Sequence, residues 1–356
     1  MTLAIVLLAA GKGTRMNSKT QKILHEVGGK PMVAHIFEAA EAAADLPPVL
    51  VVGPGAGGVR ALFGERADYA VQAEQLGTGH AAMMAETAVK NKATQVIVTY
   101  GDMPLLRADT LRRLATMQAD TIATVTMLTV LGSPESSFGR VVRGEDGGVA
   151  EIVEATEARQ RPNTAELLNI CELNVGVYCF EADFLWDNIH DLPLRQARNG
   201  QEYYLTDMIE TAARQGRRVE AIVTEDTAES LGAGTRAELV AVEKAFRQRA
   251  NTKWLANGVT LIDPNTTFID QDVQIGPDTV IWPNSYVQGQ TVIGEDCVIG
   301  PNTILRNAQV GAGCRIEQAA VENGVVAEGT AVEPFSVIGS RTTDDGRPMT
   351  DEKAGK

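Results

Sequence analysis

The first part of the chain alternates short apolar runs with amphipathic segments. Apolar runs cover residues 3–10, 49–52, 69–71 and 95–100, and helical spacing of apolar residues is found over 32–44 and 78–89. Strands and helices that alternate in this way predict parallel βαβ units in one doubly wound α/β sheet. Ligands of such sheets bind beyond the carboxyl ends of the strands, so the segments that follow residues 10 and 100 are expected to share one edge.

A second pattern begins near residue 121. Runs of β-branched and apolar residues predict further strands at 121–130, 138–143, 148–153 and 174–180, and a helix at 208–214. Residues 236–256 predict a long helix with one apolar stripe, formed by Leu239, Val242, Ala245 and Phe246. We interpret this helix as a connector, which places a first domain at 1–230 and the linker at 231–257.

The third pattern has a period of six. Aliphatic residues recur at Ile269, Ile275, Ile281, Val287, Ile293, Ile299 and Leu305. Small or β-branched residues stand two positions earlier, at Thr267, Val273, Thr279, Ser285, Thr291, Cys297 and Thr303. Neither a helix nor a simple strand has this period, but a parallel β-helix of hexapeptide repeats does. It is predicted over 258–340.

The repeat changes phase after Leu305. Val310 and Ile316 come one residue early, and the period resumes at Val326, Val332 and Ile338. The last residues, 341–356, are polar and charged, and we expect a disordered tail.

Charge and cysteine content limit the possible functions. A net charge of −14 argues against a general nucleic-acid binder, which needs a basic face. The four cysteines, Cys171, Cys179, Cys297 and Cys314, form no C-x-x-C pair, so we expect buried thiols in a reducing compartment. No run of about 20 apolar residues occurs, and no basic segment precedes the N-terminal apolar run. We therefore expect a cytoplasmic protein that does not insert into membranes.

The loop after the first apolar run has the composition of an anion site. Gly11 and Gly13 allow close approach of the backbone to a ligand, and Lys12, Arg15 and Lys22 supply positive charge. The loop is not a P-loop, and Met16 stands where a dinucleotide fold needs its third glycine. The alternative is an ordinary turn with solvated lysines.

Asp102 follows the fourth predicted strand and is a candidate Mg²⁺ ligand. Magnesium takes one or two carboxylates and completes its shell with phosphate oxygens and water. The alternative is a simple turn, since Gly101 precedes and Pro104 follows. Together with the glycine loop, the aspartate favours a metal–phosphate site.

Between these segments lies QAEQLGTGHA, residues 72–81. Gln72 can donate to and accept from a base edge, and Gly77 begins a helix whose N–H groups can face a ligand. The alternative is that Thr78 caps the helix and binds nothing.

LAAGKGTRM, residues 8–16, followed by Lys22, resembles the signature of the sugar nucleotidyltransferases, and within them the bacterial N-acetylglucosamine-1-phosphate uridylyltransferases. The resemblance covers about residues 3–338, is strong over 3–102 and is looser over 130–240. It implies that Gln72, Gly77 and Thr78 contact uracil. It implies further substrate contacts from Leu8, Ala9, Ala10, Gly11, Gly13, Tyr100 and Gly101.

Four further motifs resemble the sugar-binding half of that family: FGR at 138–140, IVE at 152–154, NVG at 174–176 and EYYLTD at 202–207. They imply sugar contacts from Gly139, Glu154, Asn174, Tyr204 and Thr206. Gly139, Glu154 and Asn174 also have simpler interpretations, as a turn glycine, an exposed carboxylate and an edge asparagine, whereas Tyr204 and Thr206 are candidate wall residues of the sugar pocket. Asp207 is equally suited to cap the helix at 208–214.

The resemblance implies Mg²⁺-dependent transfer of a uridylyl group from UTP to N-acetylglucosamine 1-phosphate, with pyrophosphate released. Arg15 would hold the β and γ phosphates, Lys22 the α-phosphate or sugar phosphate, and Asp102 the metal. It also implies a mixed α/β sheet, a left-handed β-helix and assembly as a homotrimer.

The chain departs from the family at Gly234, where the family has an asparagine that serves as a second metal ligand. We hypothesise a working enzyme with a weaker metal site. No histidine follows His190, so no acetyltransferase activity is expected. Two alternatives stay open: a uridylyl- or thymidylyltransferase acting on glucose 1-phosphate, and a degenerate trimeric scaffold or sugar-nucleotide sensor.

Overall fold

A computed structural model describes residues 1–197 and 200–339. The chain divides into two compact units, the first formed by 1–25 and 31–242 and the second by 26–30 and the residues from Glu243 onwards. The predicted tail at 341–356 lies outside the described residues. The helix Arg236–Ala256 has the predicted bounds.

The first unit is built on a nine-stranded mixed sheet. Its main path runs, from one edge to the other, through Val219–Val223, Val125–Leu131, Glu172–Glu181, Gln95–Tyr100, Leu3–Ala9, Val49–Val52 and Asp68–Val71. The strand Arg140–Arg143 pairs with Glu172–Glu181 and with Val149–Val153. Leu194–Ala197 and Gly200–Tyr203 form a separate two-stranded sheet.

Along the main path of the sheet, four of the six strand pairs are parallel, as the βαβ pattern predicts. Leu3–Ala9 pairs in parallel with both Val49–Val52 and Gln95–Tyr100. Glu172–Glu181 is antiparallel to its two central neighbours, which makes the sheet mixed. Leu8 and Tyr100 are direct partners in the parallel ladder, so their strands end at the same edge. The two segments expected to share an edge therefore do so.

Helices cover both faces of this sheet. Side chains alternate along each strand, so Ile5 and Leu7 belong to one apolar cluster and Val6 to the other. The α-helices are Met32–Ala43, Gly57–Phe63, Gly77–Met83, Glu86–Val89, Ala108–Thr121, Ala155–Ala158, Thr164–Leu168, Ala182–Asn188 and Asp207–Arg214. This is the doubly wound α/β architecture.

Two predicted elements differ from the structure. The helix predicted at 78–89 is two short helices, because residues 84 and 85 make turn-type hydrogen bonds to Ala81 and Ala82. The strand predicted from 121 begins at Val125, since Thr121 still belongs to a helix that ends at Ile122 in a left-handed conformation.

The second unit is a parallel β-helix with three sheets, consistent with a left-handed helix of hexapeptide repeats. One sheet contains Thr260–Leu261, Val280–Ile281, Val298–Ile299, Arg315–Ile316 and Ala331–Val332. The second contains Thr267–Ile269, Ser285–Gln288, Ile304–Arg306, Ala320–Glu322 and Val337–Gly339. The third contains Gln274–Ile275, Val292–Ile293, Gln309–Val310 and Val325–Val326.

The period-six residues form the core of this prism. Ile281, Ile299 and Leu305 are fully buried, and Ile275 packs at the margin of the same cluster. Val287 pairs with Leu305 eighteen residues later, but Leu305 pairs with Val321 after only sixteen. A shorter coil is the physical reason for the phase change, and it brings in Val321, a buried residue that the period-six pattern omits.

The cysteines only partly meet expectation. Cys179, Cys297 and Cys314 are buried, but Cys171 is exposed because it lies in the connection just before the strand Glu172–Glu181.

Within the described ranges, each helix is either too short or too polar to traverse a lipid bilayer.

Candidate active site

A cavity of about 710 Å³ lies in the first unit, at the edge where the strands Leu3–Ala9 and Gln95–Tyr100 end. It brings together residues separated widely along the chain. The predicted site residues in its lining are Leu8, Ala10, Gly11, Gly13, Lys22, Gln72, Gly77, Thr78, Tyr100 and Asp102. The glycine loop, the 72–78 segment and the acidic strand end therefore face one space.

The glycine loop brings Lys22 to Asp102. Gly13 has a φ of +60°, and a Cβ there would lie 2.5 Å from the Cβ of Lys22, so only glycine fits beside that lysine. Lys22 Nζ lies 2.5 Å from Asp102 Oδ2, and each side chain is less than one-fifth exposed. The lysine is thus paired rather than solvated, which disfavours the ordinary-turn interpretation.

Asp102 has the chemistry of a partial Mg²⁺ site. Its carboxylate lines the cavity, and its backbone carbonyl accepts a hydrogen bond of 3.2 Å from the Ala233 N–H. Across the described residues, no three His, Cys, Asp or Glu side chains converge in a way that could hold a metal on their own. One carboxylate fits Mg²⁺ when phosphate oxygens and water supply the other ligands.

The 72–78 segment is held by internal hydrogen bonds. Gln72 is buried, and its amide nitrogen donates to the Gly77 carbonyl at 3.1 Å and lies 3.2 Å from His80 Nδ1. The Thr78 hydroxyl accepts a hydrogen bond of 3.0 Å from the Leu205 N–H. The helix Gly77–Met83 has Leu76 as its N-cap residue, so the alternative that Thr78 caps this helix is wrong.

Gly77 meets the backbone of the EYYLTD segment. It has a φ of +95°, and a Cβ there would lie 2.5 Å from the Tyr203 carbonyl oxygen. The Tyr203 N–H in turn donates to the Leu76 carbonyl at 2.8 Å. Glycine at this position therefore serves the close approach of two chain segments at the cavity wall.

The predicted sugar residues form a second cluster outside the cavity lining. A Cβ at Gly139 would lie 3.4 Å from Glu154 Oε1, and the Asn174 N–H donates to the Gly139 carbonyl at 2.8 Å. Asn174 Oδ1 accepts hydrogen bonds from the Gly176 N–H at 3.0 Å and from the Tyr178 hydroxyl at 2.9 Å. Gly139, Glu154 and Asn174 are therefore neighbours, and the asparagine oxygen is already occupied.

Tyr100 connects this second cluster to the cavity. A Cβ at Gly176 would lie 2.4 Å from the Tyr100 ring, so the ring packs directly on that glycine. Burial, followed by the charges of Asp102 and Glu154, raises the pKa of the Tyr100 hydroxyl. The charges of both carboxylates act on this phenol, which stays protonated.

The carboxyl of Glu154 lies in an acidic surrounding. Burial raises its pKa, and the charges of Glu157 and Asp207 add to this effect, whereas Arg140 opposes it. Burial also raises the pKa of Tyr204, with further contributions from Glu202, Glu154 and Asp207. The charge of Asp207 thus raises the pKa of both Tyr204 and Glu154.

Four predicted residues have other structural settings. Thr206 is the N-cap residue of the helix Asp207–Arg214 but makes no capping side-chain bond, and Asp207 is the first helical residue, paired with Arg195 at 2.8 Å. Asp207 as a cap is therefore wrong. Ala9 and Gly101 pack on each other at the strand ends, outside the lining, since a Cβ at Gly101 would lie 3.3 Å from Ala9 Cβ.

Arg15 is exposed and is not among the lining residues. Its guanidinium lies beside Gly234 instead.

Lys12, which was predicted as a cation of the glycine loop, also lines the cavity. Four lining residues were not predicted to contact a ligand: Thr14, Gln75, Ala81 and Glu202. Three of them belong to the glycine loop or to the QAEQLGTGHA motif, and Glu202 begins the EYYLTD motif. The amide nitrogen of Gln75 donates to the Ala10 carbonyl, which ties its segment to the glycine loop. Their positions within these motifs could have indicated that they line the site. The QAEQLGTGHA motif contains both Gln72 and Gln75, however, and does not indicate which glutamine contacts a ligand.

Family models match both units. Residues 5–155 match the MobA-like NTP transferase domain, and residues 272–307 match the bacterial transferase hexapeptide model of six repeats.

Similar proteins match over most of the chain. The bifunctional protein GlmU of Exiguobacterium sibiricum is 41% identical over 95% of this chain and 75% of its own length. That of Halalkalibacterium halodurans is 40% identical over 94% of this chain and 72% of its own length. A solved structure of apo UDP-glucose pyrophosphorylase, 18% identical, covers 70% of this chain and 100% of its own with a TM-score of 0.57, which is a likeness of fold.

Proposed function

Because the chain belongs to the GlmU family and is a nucleotidyltransferase, we propose that it joins UTP to N-acetylglucosamine 1-phosphate, giving UDP-N-acetylglucosamine and pyrophosphate. One observation carries the proposal. A single cavity is lined by a glycine loop, a buried glutamine and an ion pair between Lys22 and Asp102. These are the groups that a triphosphate, a base and a divalent ion require.

In the proposed reaction, an oxygen of the sugar phosphate attacks the α-phosphorus of UTP in line. The bond from the α-phosphorus to the bridging oxygen breaks, and pyrophosphate leaves with the electron pair. The protein takes little part in the covalent chemistry, so it accelerates the reaction by positioning the substrates and neutralising their charge. Arg15 holds the β and γ phosphates, and Lys22 exchanges its partner Asp102 for the α-phosphate or the sugar phosphate.

Asp102 is the proposed ligand of Mg²⁺. When bound, the metal neutralises phosphate charge and orients the triphosphate. Gly234 supplies no side-chain ligand, so the remaining ligands of Mg²⁺ would be phosphate oxygens and water, which Mg²⁺ retains readily. We therefore propose a weaker metal site, which half-saturates well above micromolar Mg²⁺ in steady-state assays. Saturation at micromolar metal would contradict it.

The uracil and sugar contacts are proposed from the placement of their residues. Gln72, Gly77 and Thr78 line the cavity wall, where the base is expected. Glu154 and the amide nitrogen of Asn174 are proposed to bind sugar hydroxyl or acetamido groups, since the Asn174 oxygen already accepts two hydrogen bonds. The Gly139 backbone, Tyr204 and Thr206 complete the proposed sugar pocket.

The setting of the enzyme is also proposed. The hexapeptide repeats support assembly as a homotrimer, and family membership supports a place in the cytoplasm. The division into 1–230, 231–257 and 258–340 remains our proposed domain organisation.

Pyrophosphate release is the direct test. The full chain is assayed with Mg²⁺, with UTP or dTTP, and with N-acetylglucosamine 1-phosphate or glucose 1-phosphate. The proposal requires the highest kcat/KM for UTP with the acetamido sugar. Preference for glucose 1-phosphate or dTTP would establish the alternative substrates, and no release with any pair would support the scaffold or sensor. A parallel assay with acetyl-CoA tests the expected lack of acetyl transfer.

A further inference from the structure

At Gly234, glycine is required by the space that a neighbouring side chain occupies and not by the backbone conformation. Its φ lies outside the left-handed region, so the backbone conformation is open to any residue. A Cβ at this position would nevertheless lie 2.5 Å from Nη2 of Arg15 and 3.2 Å from Cζ of the same guanidinium. The missing side chain therefore provides space, and the group that uses the space is Arg15.

The surroundings of this space suit a guanidinium. Gly234 is buried, and its N–H donates a hydrogen bond of 2.7 Å to Glu238 Oε2. The same oxygen would lie 3.2 Å from a Cβ at Gly234, so the carboxylate borders the space that the guanidinium occupies. A carboxylate that borders this space favours a cation in it.

The segment that carries Gly234 also touches Asp102. The neighbouring Ala233 N–H donates to the Asp102 carbonyl at 3.2 Å. One short segment therefore contacts both Arg15, proposed to hold the β and γ phosphates, and Asp102, proposed to hold the metal.

We propose that Gly234 is a positioning residue for Arg15: its lack of a side chain, bordered by Glu238, fixes the guanidinium for contact with the β and γ phosphates of the nucleotide. The inference rests on the proposed function. Because the obstacle to a Cβ is the far end of a flexible arginine, Gly234→Ala leaves the fold intact and displaces the guanidinium. Nucleotide affinity then changes only for ligands that carry β and γ phosphates.

The test compares the binding of UTP and UMP, each with Mg²⁺, by isothermal titration calorimetry on the full chain. UMP has no β or γ phosphate and serves as the internal reference. For Gly234→Ala, we expect the Kd of UTP to rise by about tenfold or more, as for loss of one charge-assisted hydrogen bond, with the Kd of UMP unchanged. In an Arg15→Ala background, Gly234→Ala should add no further loss, because both act through one group.

Gly232→Ala is the matched control. Its nearest atom, the Asp102 carbonyl oxygen, would be 3.5 Å away, an ordinary contact, so both Kd values should stay unchanged. Glu238→Ala, a change on the exposed surface of a helix, is a second variant and should show a smaller loss specific to UTP.

The outcomes separate this inference from the proposed function. If Arg15→Ala leaves UTP binding unchanged, the proposed role of Arg15 is wrong and the inference falls with it. If Arg15→Ala weakens UTP binding but Gly234→Ala does not, or weakens UMP equally, the inference is wrong while the proposed function stands.

Discussion

The two units place their important side chains by different means. In the β-helix, each core residue meets its equivalent one coil away, as Val287 meets Leu305. In the candidate active site, Lys22 and Asp102 are 80 residues apart, and Thr78 and Leu205 are 127 apart. The core of the repeat unit is specified by a local period, whereas the site depends on segments brought together by the whole α/β sheet.

This difference separates stability from function in a way that can be tested. A core position of the β-helix should affect the stability of its unit in proportion to buried volume. A residue at the site should affect ligand binding with little effect on stability, provided that it is exposed.

Leu305→Ala should give the largest effect. The side chain is fully buried, between Val287 and Val321 in the ladder, and its removal leaves a cavity. The expected loss is about 2–5 kcal/mol in the free energy of unfolding, measured by urea denaturation. Ile304→Ala, on the same strand but 37% exposed, is the control and should cost less than half as much. Equal losses of stability in the two variants would contradict the finding that Leu305 faces the core and Ile304 faces outward.

Arg15→Ala should reduce pyrophosphate release by about a hundredfold or more, the cost of removing one charge-stabilising donor, equivalent to about 2.7 kcal/mol. Because Arg15 is exposed, the melting temperature of the Arg15→Ala variant should match that of the wild type. Lys19→Ala changes another exposed cation of the same loop and should retain normal activity. A near-normal rate for Arg15→Ala would remove this residue from its proposed role.

The sequence predicted the β-helix more completely than the site. Ile299 lies in the core because it continues the period of six set by Ile293 and Leu305, so the spacing of aliphatic residues along the chain is enough to predict its burial. Counting located the change of phase after Leu305 but missed the buried Val321, because the length of that coil depends on where its corners form. At the site, the motifs predicted that Lys22 and Asp102 are functional. No local pattern indicated that they pair, or that Arg15 lies beside Gly234, because these contacts depend on the folded sheet.

Gly77→Ala tests a long-range contact directly. A methyl group would meet the Tyr203 carbonyl, and the φ of +95° is unfavourable for alanine. The expected destabilisation is about 1–3 kcal/mol, measured from the thermal unfolding transition of the first unit. Gly57→Ala is the control, since it begins a helix and a Cβ there meets open space, so it should be neutral or slightly stabilising. A neutral Gly77→Ala would show that the 202–203 segment can move away.

Glu154→Gln should give the smallest effect, and one that depends on pH. Because burial raises the pKa of Glu154 above its ordinary value of 4.5, the folded protein binds this proton more tightly than the unfolded chain does. The stabilising contribution is present below pH 4.5 and is lost as pH rises through the raised pKa. Glutamine, which stays neutral, avoids that loss, so the variant should gain stability relative to the wild type as pH increases from 4.5 to 7. Urea denaturation across this range measures the difference. A difference that does not vary with pH would mean that the Glu154 carboxylate is solvated, and that the acidic surrounding built from distant segments does not act on it.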